Sequence, residues 1–311
     1  MNATVSEKKV KIMCWKGVLS ICIVLTVWDM NGQANILNAQ RPEDIGVETR
    51  AQASQDNDVP LEYGYVEDRD IMWSKMVWEV VDLNERVNFP LYYPIDGTSG
   101  ALGRKSLYDV LVTNIKNGKL KDIYTDSYFT ERRNFGELEA TLAKVDTTDL
   151  GYEQVNAGEQ VSEMYIDRRE ISAADIVEYR IRGMWYFDKR QGELKYRLLG
   201  IAPVAPDVNF MDEGMDDGSN LVELFWVWYP SAREVLHEAK AFNANNSGVP
   251  ISFDHLLNAR RFNAVIYKED NVYGDREIRD YIPDNAMFQL MEAQRIQGEI
   301  RNFEQDVWKN E

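Results

Sequence analysis

The spacing of large apolar residues divides the chain into stretches of helical and of strand character. Between Asp68 and Val87, the residues Met76, Val80, Leu83 and Val87 fall four, three and four apart, as one face of a 3.6-residue period requires. Trp73, Val77, Trp78 and Val81 widen that face, and Asp68 or Asp70 suits the N-cap, so the pattern predicts a strongly apolar helix buried in its own domain. Pro90, Pro94, Gly97, Gly100 and Gly103 then mark 88–103 as a loop. Ser106 predicts the cap of a helix ending before Gly118, 121–125 a short strand, and 136–145 a short helix.

In the middle of the chain the period changes. Val177, Tyr179, Ile181, Trp185 and Phe187 alternate with Glu178, Arg180, Arg182 and Tyr186, a half-buried strand pattern. A turn at 189–192 containing Gly192, followed by alternation of Leu194, Tyr196, Leu198 and Gly200, predicts a β-hairpin. After an acidic loop at 212–218, the β-branched and aromatic run 221–229 predicts a third strand. These connections are too short for helical crossovers, so the sheet is expected to be antiparallel. Helical spacing returns in 231–240 and 252–262, each opened by a serine, Ser231 and Ser252. The last helix is expected over 284–308, with Leu290, Ala293, Ile296, Ile300, Phe303 and Val307 in one stripe and Arg295 and Glu299 on a solvated side. The fold class expected is α+β: an antiparallel β-meander covered by helices, with a long C-terminal helix.

Composition adds a compartment. Lys8, Lys9, Lys11 and Lys16 precede a mostly apolar run at 17–28, which is short of the roughly 20 residues a membrane-spanning helix needs. Residues 1–34 therefore read as a signal peptide, 35–60 as a polar flexible leader, and 61–311 as a single α+β domain. Both cysteines, Cys14 and Cys22, fall in the signal segment, so no disulfide is expected in the exported chain. The formal charge of −17 opposes nucleic acid and anionic lipid, and suits basic protein partners or ions.

Candidate chemistry is sparse. His237 lies three residues after Glu234 on an expected helix, but a di-metal bundle needs that pair twice, and His255 has no such companion. The acidic loop lacks the residue order of a calcium loop, and no phosphate-cradling glycine loop, nucleophile elbow or His-Glu-x-x-His helix is present. The reading is of no catalytic residue, no metal and no cofactor. The alternative kept open is an exported hydrolase acting on envelope polysaccharide through a carboxylate pair that spacing does not reveal. Aromatic residues crowd the expected strands, and alternation puts neighbours on opposite faces. Trp185, Tyr186, Trp226, Trp228 and Tyr229 are therefore candidate anchors of a protein interface.

Several long segments resemble the gliding motility GldN/PorN family: "YGYVEDRDIMWSKMVWEVVDLNERVNFPLYYP" at 63–94, "EYRIRGMWYFDKRQGELKYRLLGIAPVAPDV" at 178–208, "LFWVWYPSAREVLHEAKAFN" at 224–243 and "ISFDHLLNARRFNAVIYKEDNVYGDREIRDYI" at 251–282. The leader phrase "ANILNAQRPEDIG" at 34–46 belongs to the same likeness. The resemblance implies an exported, non-enzymatic component of the type IX secretion and gliding machinery on the periplasmic side of the outer membrane. It further implies self-association in a ring with a GldK/PorK-like lipoprotein and contact with a GldM/PorM-like motor protein of the inner membrane. No residue role is carried over from it.

Overall fold

The computed structural model describes residues 59–95, 104–158, 163–208, 220–243 and 251–309. The expected signal peptide, the leader up to residue 58 and the acidic loop at 212–218 lie outside the described residues. The described chain is mixed α+β, with a seven-stranded antiparallel sheet and a long C-terminal helix.

Residues Ile71–Asp82 form a strand, β1, where a helix was expected. Val77, Trp78 and Glu79 are consecutive and all buried. Val77 packs on one side of the sheet and Trp78 on the other, so both faces of β1 are covered. A strand covered on both faces is apolar at successive positions, which erases the two-residue alternation and leaves a helical spacing by coincidence.

The remaining strands are β2 (Ile123–Tyr124), β3 (Ala143–Thr147), β4 (Ile166–Glu170), β5 (Glu178–Asp188), β6 (Glu193–Pro206), β7 (Leu221–Glu223), β8 (Trp226–Trp228), β9 (Lys240–Ala241), β10 (Ile251–Ser252) and β11 (Val265–Glu269). The main sheet runs β11-β1-β5-β6-β8-β2, with β7 also paired to β6; β3 with β4 and β9 with β10 form two small separate pairs. The expected hairpin is present: β5 and β6 pair from Glu178 opposite Val204 to Asp188 opposite Glu193. Gly192 takes φ +65° in its turn, a conformation glycine adopts without steric cost. The expected third strand is split by Leu224 and Phe225 into β7 and β8.

Helices cover the sheet. A short α1 (Phe89–Tyr92) stands where a loop was expected, because Pro90 occupies the first turn, where its missing N–H breaks no helical bond. α2 (Leu107–Lys116) is capped as expected, Ser106 Oγ accepting from the Asp109 N–H at 3.1 Å. α3 (Phe135–Leu142) and α4 (Asp149–Asn156) follow. α5 (Tyr229–Glu238) begins before Ser231, with Trp228 at the cap and Pro230 in the first turn. α6 (Phe253–Asn258) is capped by Ser252 and stops short of the expected Phe262, where Arg260 turns to φ +48°. α7 (Ile278–Tyr281) leads to the long α8 (Ala286–Lys309).

One face of the sheet meets α2, α5 and α6 through Leu107, Leu111, Ile181, Leu198, Leu236 and Phe253. Further along the same face, Val77 and Ile266 meet Ala293, Ile296 and Ile300 of α8. The opposite face carries Trp78, Ala202 and Trp226 beneath Tyr124, Phe129 and Tyr267. Burying each such side chain contributes about 1.5–3 kcal/mol, so the two layers together hold β1 as a central strand.

Candidate interaction surfaces

The aromatic residues singled out in the sequence do not form one patch. Trp226 is fully buried on the face opposite the long helix, and its indole donates to Glu223 Oε2 at 2.6 Å. Tyr229 is also fully buried; its hydroxyl donates to Asp254 Oδ1 at 2.8 Å, and Arg233 holds the same carboxylate with two bonds of 2.9 and 3.1 Å. Tyr186 is buried beside Arg197. Trp185 and Trp228 are half-buried. Trp185 lies against Tyr196 with ring centres 5.0 Å apart, and Trp228 meets the edge of Phe129 at 4.8 Å.

What closes the second face was not visible in the sequence. Tyr128 and Phe129 come from the turn after β2 and fold over Trp78 and Trp226. The Arg182 guanidinium lies 5.0, 5.2 and 5.5 Å from the rings of Trp78, Tyr128 and Phe129, and the Lys268 ammonium lies 4.5 Å from Trp78. Such desolvated cation–ring contacts contribute about 0.5–2 kcal/mol each. Burial lowers the pKa of the Lys268 ammonium, while burial and the bond to Asp275 push the Tyr128 phenol up to about 12. The cluster packs the second face of the sheet through ring and cation contacts.

A third feature is an apolar row. The first turns of α8 expose Met287, Phe288, Leu290 and Met291 at 66, 55, 43 and 52 % of their surface. The same helix buries Ala293, Ile296 and Ile300 against the sheet, and Phe303 stacks on Trp73 at 4.7 Å. The start of α8 is thus apolar on a side that the described residues leave open, and the exposed area is on the order of several hundred Å², the scale at which exposed apolar patches mark interaction sites. Beside it lies a groove of about 440 Å³ walled by Val80, Val265, Ile278 and Leu290. Farther along, Arg295 pairs with Glu292 and Glu299, giving that side of the helix a solvated, charged character.

Among the described residues no three His, Cys, Asp or Glu side chains gather in a way that would hold a metal ion. His255 is exposed on α6 and Glu234 on α5, with His237 half-buried on the same helix as Glu234. No described helix is long and apolar enough to cross a membrane. No curated protein matches the chain. A family profile described as "Gliding motility associated protein GldN" matches residues 66–309, nearly the whole described region. The chain belongs to that gliding motility associated GldN family, a family of structural components of the gliding and type IX secretion machinery.

Proposed function

We propose that the chain is a non-enzymatic scaffold subunit of the periplasm, exported by its N-terminal signal segment. It self-associates in a ring on the inner face of the outer membrane and links a GldK/PorK-like lipoprotein to the periplasmic part of a GldM/PorM-like motor protein. The observation that carries this reading is the family assignment over 66–309. The exposed row Met287, Phe288, Leu290 and Met291 supplies a physical reason for contact, since binding energy in such a protein comes from apolar area removed from water. Of the aromatic residues expected at an interface, Trp185 and Trp228 have surface left to contribute. The high negative charge favours basic partner surfaces and speeds encounter with them.

The test is copurification. A tagged chain recovered from the envelope of a gliding cell is expected to bring down both the lipoprotein and the motor protein. Recovery of neither sinks the partner assignment, and substrate turnover by the purified chain alone would put the polysaccharide hydrolase in place of the scaffold.

A further inference from the structure

β6 has one side only partly used. From Glu193 to Leu199 it pairs with β5, while its other neighbours begin at Gly200, opposite Trp228 of β8, and at Val204, opposite Glu223 of β7. Along 193–199 every second residue therefore turns its backbone N–H and C=O away from the sheet, and among the described residues no backbone bond meets them.

The segment 62–66 lies across a gap from this edge and is held there by side chains. The Tyr63 ring sits between Arg197 and Arg233, 4.4 and 4.1 Å from their guanidinium carbons, and its hydroxyl donates to Asn258 Oδ1 at 2.7 Å. Arg197 Nη2 donates to the Gly64 carbonyl at 3.2 Å, and Arg190 Nη2 to the Tyr65 carbonyl at 2.9 Å. The gap is a groove of about 540 Å³, within the range of ligand clefts, about 300–1,000 Å³. Its walls are the 62–66 segment on one side and Tyr186, Lys195 and Arg197 on the other, with Asp188 at one end already paired to Arg190.

We propose that this edge is a docking site for an extended acidic peptide segment of a partner protein, added to the sheet as a strand beside β6. The unpaired edge dictates an extended occupant, because only another strand offers donors and acceptors at the matching repeat. The charge follows from Lys195 and Arg197, which stand two apart and so project on one side of β6. Arg197 is held by two rings, a carbonyl and the Tyr186 hydroxyl, with no described carboxylate on it; the nearest acid to Lys195 is Glu193, at 3.9 Å. Arg197 is thus the cation best placed for an outside acid, and the loose pair of Lys195 with Glu193 is open to exchange for one, since an added strand brings side chains within about 5 Å across the pair.

The inference rests on the scaffold reading, giving one of its contacts a chemistry, and its test is separate. The purified full chain is titrated with a labelled octapeptide of alternating Glu and Val, read by fluorescence anisotropy, with hydrogen exchange followed over 193–199. Expected are saturable binding, slowed exchange along that edge, and a loss of about tenfold or more in affinity when alternate peptide amides are N-methylated or when Lys195→Glu is introduced. Circular dichroism checks that Lys195→Glu folds; if it does not, Lys195→Gln replaces it with the same expected direction. Absence of saturable binding, equal binding of the N-methylated peptide, or equal binding of a Lys/Val peptide overturns the site. Copurification of the envelope partners without peptide binding removes the strand site alone, and peptide binding without copurification removes the partner assignment alone.

Discussion

Arg260 closes on Glu79 with both terminal guanidinium nitrogens, at 2.9 and 2.8 Å, and so ties the end of α6 to the middle of the central strand β1. Glu79 is almost wholly buried, and Tyr196 adds a hydroxyl to the same carboxylate at 3.2 Å while its ring lies 4.1 Å from the Arg260 guanidinium. Removing one partner leaves a charge in the core, which is worse than removing both. Arg260→Ala is expected to lose about 3–5 kcal/mol in denaturant unfolding, and the double change Glu79→Leu with Arg260→Met to recover most of it. Equal losses in the single and double variants would show that the pair is not buried as described.

The same corner sets a steric limit. A Cβ built on Gly183 would overlap the phenol of Tyr196, the group that reaches Glu79. Gly183→Ala must therefore push the ring aside, with an expected loss of about 1–3 kcal/mol from overpacking. Gly64, which has nothing within 4 Å of its would-be Cβ, is the control. Thermal unfolding of Gly64→Ala is expected to match the parent within about 0.5 kcal/mol. A silent Gly183→Ala would mean that the ring has room to move.

These contacts also show why parts of the fold were legible in the sequence and others were not. Ser106 and Ser252 cap their helices as expected, and the alternation in β5 and β6 gives a true hairpin, because each signal is local or belongs to two adjacent strands. β1 failed because Val77 and Trp78 are buried on opposite sides by elements more than a hundred residues away, Ala293 and Ile296 of α8 and Trp226 of β8. Its β-branched and aromatic content, Ile71, Trp73, Val77, Trp78, Val80 and Val81, was the cue for a strand. Alternation put Trp185 and Tyr186 of β5 on opposite faces, while Trp226 and Trp228 of β8 share the face that meets Phe129. It could not tell that Tyr128 and Phe129, in a turn with no periodic signal, cover the second face.

Buried phenols make alkali a probe of the core. Burial pushes the hydroxyls of Tyr108, Tyr179, Tyr196, Tyr229 and Tyr267 well above their ordinary range, and Tyr128 to about 12. A phenol whose folded pKa lies above its unfolded value of about 10 supports the fold in full below that pH. The support is lost as pH climbs from there through the folded pKa, because the unfolded chain releases its protons first. Tyrosinate absorbance is expected to rise together with the loss of far-ultraviolet dichroism above about pH 10. Complete titration of every phenol with the dichroism intact would contradict the buried placement.

The two sides of α8 separate folding from assembly. Ile296 and Ile300 lie against the sheet, and truncating either to alanine is expected to cost about 2–5 kcal/mol through lost burial and the cavity left behind. Phe288 and Met291 are more than half exposed, so Phe288→Ser with Met291→Ser removes little packing from the folded chain and is expected to shift stability by no more than about 0.5 kcal/mol. If the row meets another protein, the same pair of changes deletes apolar area from that contact, and loss of each well-packed anchor weakens binding by about 1–3 kcal/mol, five- to a hundredfold and more. Sedimentation of the purified double variant with its envelope partners, beside unfolding curves for all three variants, distinguishes the two effects. Normal assembly by the serine variant would assign the row to ordinary solvent exposure, and the contact would then have to be sought at Trp185, Trp228 or the β6 edge.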